Sequence, residues 1–309
     1  MTLLISHPSF LEHETGDYHP ERPDRLRAVT AALADEEFDD LTRLIAPAAT
    51  LEQLTRVHPQ AYVDAILGIR PPEGELVHVD ADTVMSAGSA NAALHAAGAV
   101  VAAVDGVLGG QAHTAFAAVR PPGHHATPDV PGGFCLFSNA AVGALHARAA
   151  HGVRRIALID FDVHHGQGTQ AVVETDPDLF YASSHQYPLY PGTGSTRERG
   201  IDGNVANVPL PAGSGSAAFR AAWADRLLPA LDTFAPELVI VSAGFDAHRR
   251  DPLAQLDVET EDFVWLTEEL LAIARRHSSG RLVSVLEGGY DLAALAESVS
   301  AHVRSLMRA

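Results

Sequence analysis

Short apolar runs alternate along this chain with longer stretches of helical periodicity. The apolar runs are Leu3–Ile5, Ala115–Val119, Arg155–Ile159, Leu179–Ala182, Leu238–Val241 and Leu282–Leu286. Several are apolar along most of their length, which predicts strands buried on both faces, as in a parallel sheet. Between them, Asp24–Leu33, Ser89–Leu108, Asn139–Ala150, Ala217–Phe234, Thr260–His277 and Leu292–Met307 read as helices. Such alternation predicts one α/β domain over residues 1–309, with a mainly parallel central sheet and helices on both faces. The Pro/Gly stretches Arg70–Gly74, Pro188–Gly194 and Pro209–Gly215 read as loops within that domain.

The polar residues follow the strands in a regular way. Ala115–Val119 runs into Arg120-Pro-Pro-Gly-His-His-Ala126, and Arg155–Ile159 into Asp160-Phe-Asp-Val-His-His-Gly166. Leu238–Val241 runs into Ser242-Ala-Gly-Phe-Asp-Ala-His248, and Leu282–Leu286 into Glu287-Gly-Gly-Tyr290. Each cluster therefore sits just past the carboxyl end of a strand. In open parallel α/β sheets those ends face one crevice, where ligands bind. Four clusters distant in sequence are thus expected to converge.

Asp162, His164 and Asp246 are the candidate metal ligands. Asp162 and His164 lie two apart, so an extended segment sends both side chains to one side. Two carboxylates and an imidazole neutralise a dication and leave a position for water, the pattern of a catalytic zinc site. An isolated Asp-X-His is more often a helix cap beside a core histidine. The combination with Asp246 at a neighbouring strand end reverses that preference, because buried carboxylates need partners.

His124 and His125 follow a Pro-Pro-Gly turn. Adjacent residues in an extended loop point apart, so the two need not share a role. Neutral histidine accepts a proton near neutral pH, as general-base catalysis requires. Asp160 could hold one of them in the correct tautomer. Tyr290 can donate to a developing oxyanion, and Gly288 and Gly289 permit a sharp turn and close approach of substrate. Gly133-Phe134 and Tyr190 could wall a narrow slot for a linear apolar chain. Asp82, read as the start of a helical run, could grip peptide N–H groups or cap a helix.

Composition narrows the partners. The formal net charge is −18, and all 21 basic residues counted as Lys plus Arg are arginine. That acidity argues against direct binding of nucleic acid, which needs a basic face, and suits a cationic substrate tail. The single cysteine, Cys135, excludes an internal disulfide framework and fits a reducing cytoplasm. No secretory signal is expected at Met1–Pro8, and no stretch is read as apolar for long enough to span a bilayer.

Taken together, the motifs resemble the zinc-dependent histone deacetylase family, within the wider arginase/deacetylase fold. The matching pieces are His19-Pro-Glu-Arg-Pro-Asp-Arg-Leu26, Arg120-Pro-Pro-Gly-His-His-Ala126, Gly133-Phe134, Asp160-Phe-Asp-Val-His-His-Gly166, Tyr190-Pro-Gly-Thr-Gly194, Ser242-Ala-Gly-Phe-Asp246 and Glu287-Gly-Gly-Tyr290. They occur in the family's order across almost the whole chain. His164-His-Gly-Gln-Gly-Thr169 and Tyr187-Pro-Leu-Tyr-Pro-Gly192 are similar to the class II and bacterial branches.

The resemblance implies that Asp162, His164 and Asp246 bind one zinc ion and that His124 and His125 handle protons, with Asp160 paired to His124. It implies that Tyr290 polarises the scissile carbonyl, that Phe134 and Tyr190 flank an acyl-lysine tunnel with Gly133 beside it, and that Asp82 sits at the rim. A structural potassium near Asp160, Asp162, His164, Ser183 and Ser184 is also typical of the family. Class I members carry an acidic residue where this chain has Gln167, which should lower the proton affinity of His125. The implied substrate is an acylated lysine in a peptide or protein. One alternative is an acylated polyamine, for which Leu253 stands where a selective relative carries an acidic gatekeeper. The others are a non-catalytic acyl-lysine binding module and an arginase-like manganese ureohydrolase.

Overall fold

The computed structural model describes residues 1–309. Its strands are β1 (Thr2–Ser6), β2 (Thr42–Ile45), β3 (Val77–His78), β4 (Val84–Met85), β5 (Thr114–Ala117), β6 (Ile156–Asp160), β7 (Leu179–Gln186), β8 (Val205–Leu210), β9 (Leu238–Ala243) and β10 (Leu282–Leu286). The α-helices are α1 (Pro23–Ala32), α2 (Leu51–Thr55), α3 (Gln60–Gly68), α4 (Ser89–Leu108), α5 (Asn139–His151), α6 (Gln167–Val173), α7 (Ser216–Ala222), α8 (Leu228–Phe234), α9 (Thr260–His277) and α10 (Leu292–Met307).

Eight strands form one sheet in the order β2-β1-β5-β10-β9-β6-β7-β8. Every pairing in it is parallel. Strands β5, β6, β9 and β10 are buried along their whole length, which explains their unbroken apolar runs. β3 and β4 form a separate antiparallel hairpin. The order reverses direction around the central strands, and the four polar clusters all follow β5, β6, β9 and β10, which are contiguous in the sheet.

The sheet differs from the sequence reading at its edges. β2 is exposed at Thr42, Arg43 and Ile45, so its residues show no core run. β8, the opposite edge, contains Asn207 and Pro209, and proline in a strand is tolerated only at such an edge. The stretch Ala217–Phe234, read as one helix, is interrupted by a π-helical turn at Trp223–Leu227. That turn buries Trp223, whose indole N–H donates to Ser184 Oγ at 2.9 Å.

Two further readings change. Asp82 does not begin a helix; it lies in the turn of the β3–β4 hairpin, before α4 starts at Ser89. Helix α4, read as no membrane span, is in fact long and apolar enough to cross a membrane by length and composition, with a mean hydropathy of 1.4. Most of its alanines and valines are buried, and it packs as a core helix against β1, β5 and α5.

Candidate active site at the carboxyl ends of the central strands

Parallel pairing places Asp160, at the end of β6, beside Ser242 of β9 and Ser183 of β7. The chain then turns, and Asp162 and His164 project from the loop after β6 while Asp246 arrives from the loop after β9. All three side chains are buried or nearly so. His164 Nδ1 lies 3.1 Å from both Asp162 Oδ1 and Asp246 Oδ2. One ligand atom from each residue falls within 4.8 Å of the others. The three sequence-derived ligand candidates therefore share a common point.

Backbone amides aim the carboxylates. Asp162 Oδ1 accepts from His164 N at 2.9 Å, and its Oδ2 accepts from Gly288 N at 2.8 Å. Asp246 Oδ1 accepts from Val163 N at 2.8 Å. Gly288 must lack a side chain here: a Cβ would stand 2.1 Å from Asp246 Oδ2. Its position is thus dictated first by the two carboxylates, an explanation beyond the substrate approach read from sequence.

The charges report the same convergence. Burial, and then the neighbouring charge of Asp162, push the Asp246 carboxyl up to about 7. Burial alone would lower the His164 imidazole, but its hydrogen bonds to Asp162 and Asp246 outweigh this and raise it to about 10. Two buried carboxylates that repel each other across an imidazole are a donor set completed by a cation. The set fits a dication with oxygen and nitrogen preferences such as zinc.

The tandem histidines are buried, and their rings do not diverge as an extended loop would have them. The turn after the Pro-Pro-Gly sequence brings the ring centroids to 3.9 Å, tilted by 42°. His124 Nδ1 lies 3.0 Å from Asp160 Oδ2, which also accepts from the Tyr181 hydroxyl at 3.0 Å. His124 Nε2 lies 3.8 Å from Asp162 Oδ2. His125 Nδ1 lies 2.6 Å from Gln167 Oε1, and Gln167 Nε2 donates back to His125 O at 3.2 Å. Burial favours the neutral form of both rings. For His124 the carboxylates Asp162 and Asp160 override this and raise it; for His125 the charges of His124 and His164 add to it and lower it.

Tyr290 follows the turn after β10 and is half-buried. Burial raises its phenol well above the ordinary tyrosine range, so it stays protonated as a donor. Its backbone N–H donates to Asp251 Oδ2 at 2.7 Å, and the other oxygen of Asp251 accepts from Leu253 N at 3.0 Å. The Leu253 loop is therefore tied to the Tyr290 turn. The Phe134 ring stands 5.9 Å from the Tyr290 ring, and the Tyr190 ring 4.9 Å from that of His125, so two aromatic walls flank the polar centre. Phe134 N donates to Thr83 Oγ1 at 3.0 Å, which fastens this wall to the β3–β4 hairpin carrying Asp82. Gly133 has φ +53°, and a Cβ there would meet His125 Cδ2 at 2.4 Å.

Ser183 and Ser184 lie on β7 beside this centre, but their hydroxyls are engaged elsewhere. Ser183 Oγ lies 2.9 Å from His185 Nδ1, and Ser184 Oγ accepts from Trp223.

Several supporting residues carried no assigned role in the sequence. Glu287 accepts from the backbone at Gly123 and His124. Arg25 donates to Gly289 O at 2.6 Å and to Glu287 O at 2.5 Å, and its guanidinium stands 4.9 Å from the Tyr290 ring centre. Glu21 bridges Arg25 and Arg120 in a fully buried triad. Glu21, Arg25, Arg120 and Glu287 all fall inside the motifs quoted above. Burial of so many charges is the signal that marks them, and burial is not written in a linear motif.

Comparison with known proteins agrees with this arrangement. The histone deacetylase domain matches residues 19–306. Histone deacetylase 14, chloroplastic, of Arabidopsis thaliana is 38% identical over 327 residues, covering 99% of this chain and 76% of that protein. Polyamine deacetylase HDAC10 of Homo sapiens is 39% identical over 302 residues, covering 93% of this chain and 44% of its own length. A crystal structure of the HDA15 HD domain superposes with a TM-score of 0.93 at 36% identity, covering 99% of this chain and 88% of that one. With its motifs, its parallel sheet and its strand-end site all in agreement, this chain belongs to the histone deacetylase family of hydrolases.

Proposed function

We propose that the protein is a zinc-dependent amidohydrolase that removes acetyl or other acyl groups from lysine side chains. The observation that carries this reading is the convergence of Asp162, His164 and Asp246 beside two buried histidines and a protonated phenol. A binding module would need none of the proton-transfer groups.

Asp162, His164 and Asp246 would hold the ion. Bound there, zinc supplies Lewis-acid polarisation of the acyl oxygen and a lowered pKa for water, about 7 in well-studied zinc enzymes. The proton traffic belongs to the chain. Gln167 Oε1 only accepts, so His125 Nδ1 carries a hydrogen and its other nitrogen has the free lone pair. His125 takes the proton of the attacking water and returns it to the leaving amine. Asp160 fixes His124 in the matching tautomer. Tyr290 donates its hydroxyl to the oxyanion as the carbonyl becomes tetrahedral. Phe134 and Tyr190 hold the methylenes of the substrate, and Asp82 meets its backbone at the rim. A carboxylate and a free amine leave.

The potassium site belongs to the same proposal: Asp160 and Ser183 are register partners in the sheet, although the hydroxyls of Ser183 and Ser184 are engaged with His185 and Trp223. A polyamine substrate is the second reading, favoured by the similarity to the human polyamine deacetylase. Leu253, apolar and half-buried, favours acyl-lysine. The deciding experiment compares kcat/KM on an acetyl-lysine peptide and on acetylspermidine across a series of acyl lengths. Preference for the peptide is the expected result; preference for acetylspermidine would reassign the substrate, and turnover of neither would remove the hydrolase reading.

A further inference from the structure

Glu287 is a fully buried carboxyl group that the reaction above does not use. Its Oε2 accepts from Gly123 N at 2.7 Å and from His124 N at 3.2 Å. Its Oε1 accepts from Ser242 Oγ at 3.0 Å. No arginine pairs with the carboxylate: Arg25, the nearest cation bonded to this residue, takes its backbone carbonyl instead. The side chain thus satisfies three donors from two other strand ends, one after β5 and one on β9.

Those donors include the two backbone N–H groups of the tight turn that carries the tandem histidines. A buried backbone N–H outside helix or sheet needs an acceptor. The turn packs closely against the start of α5: a Cβ at Gly123 would meet Asn139 N at 2.6 Å and Phe137 O at 2.8 Å. Glu287 also stands at the root of the Glu287-Gly-Gly-Tyr290 turn. Along the same backbone, Gly288 N holds Asp162 at 2.8 Å. One residue therefore joins three parts of the site: the histidine turn by its side chain, the Asp162 carboxylate through the next amide, and the phenol at the end of its turn.

We propose that Glu287 is a positioning residue that pins the tandem-histidine turn to the Tyr290 turn, so that the proton-transfer ring and the oxyanion donor keep a common register. This role rests on the hydrolase reading and names a residue of the same site. What the side chain supplies is an acceptor oxygen, not a charge. Glutamine can supply the same geometry, its carbonyl oxygen accepting from both amides while its NH2 donates to Ser242 Oγ. Alanine cannot.

The test compares wild type, Glu287→Gln and Glu287→Ala as zinc-loaded full chains. Misplacement of catalytic groups by about 1 Å can cost on the order of 100-fold. Glu287→Ala should lose kcat on an acetyl-lysine peptide by about that factor, with KM within about threefold and zinc content unchanged. Glu287→Gln should recover most of the loss. A second readout needs no turnover: amide hydrogen exchange at Gly123 and His124 should accelerate in Glu287→Ala and remain protected in Glu287→Gln. That readout stands if wild type hydrolyses nothing, in which case the hydrolase reading fails and the pin does not. Should Glu287→Ala not fold, Glu287→Asp, one methylene short of both amides, carries the same comparison. Unchanged exchange in the alanine or aspartate variant would overturn the proposal. So would a glutamine variant as slow as alanine, because the charge would then be the operative feature.

Discussion

Two clusters in this molecule bring two kinds of metal-binding side chain together at similar distances, and only one is arranged to hold an ion. The first is Asp162, His164 and Asp246; the second is Asp105, His146 and His151, between helices α4 and α5. In the second, His146 Nε2 and His151 Nε2 lie 2.8 and 2.7 Å from Asp105 Oδ1. Arg56 NH1 faces His146 Nδ1 at 2.9 Å, and guanidinium only donates. His146 Nδ1 must accept, so Nε2 carries a hydrogen and turns an N–H, not a lone pair, towards Asp105. An ion there would displace that proton and meet a fixed positive charge. In the first cluster the outer hydrogen bonds come from backbone amides onto carboxylate oxygens. These leave further lone pairs turned inward, and no guanidinium stands behind the imidazole of His164 as Arg56 stands behind His146. Proximity does not distinguish the two sites; the partners behind the ligands do.

Asp246→Ala should break this contrast most severely. It should abolish bound zinc and turnover together, while Asp105→Ala leaves both at wild-type level; elemental analysis and acetate release measure the pair. Loss of zinc from the Asp105 variant would make the helix cluster a metal site. Next in size, Tyr290→Phe should lower kcat about 100- to 1000-fold with zinc content intact, as removal of an oxyanion donor does elsewhere. Zinc retention without turnover would separate the ligand set from the phenol.

A third effect falls on stability. Burial would raise the Glu21 carboxyl, but the charges of Arg120 and Arg25 override it and lower it from 4.5 to about 2. A lowered folded-state value means stability that is present above the unfolded value and lost as pH falls towards 2. Glu21→Gln should therefore flatten the acid limb of stability below about pH 4.5. Leaving two buried arginines unpaired should cost about 3–5 kcal/mol, read by denaturant unfolding at neutral pH. The smallest effect belongs to the helix cluster. Asp105→Asn should cost no more than about 1 kcal/mol, because the carboxylate is half exposed and solvent-screened. A loss as large as that of Glu21 would mean that the cluster organises the α4–α5 packing.

The contrast also shows how far the sequence could be read. Strand-end clusters with unbroken apolar runs before them gave the positions of Asp162, His164, Asp246, His124 and Tyr290, because a parallel sheet forces those ends together. The edge strands β2 and β8 escaped, since an exposed strand needs no apolar run. The turn holding Asp82 resembles a helix start in sequence, because an aspartate before a helical run is also what an N-cap looks like. The ring contact between His124 and His125 depends on a tight turn whose dihedral angles no spacing rule supplies. Glu287, Arg25 and Glu21 stood in recognisable motifs, yet their work is done by hydrogen bonds to backbone atoms far away in sequence.

Acetate release from an acetyl-lysine peptide, followed while zinc is titrated into metal-free protein, tests the central claim most directly. Turnover should be absent without zinc, rise in proportion to the metal and saturate at one equivalent per chain. Full turnover by metal-free protein, or saturation only at two equivalents, would contradict a single ion held by Asp162, His164 and Asp246.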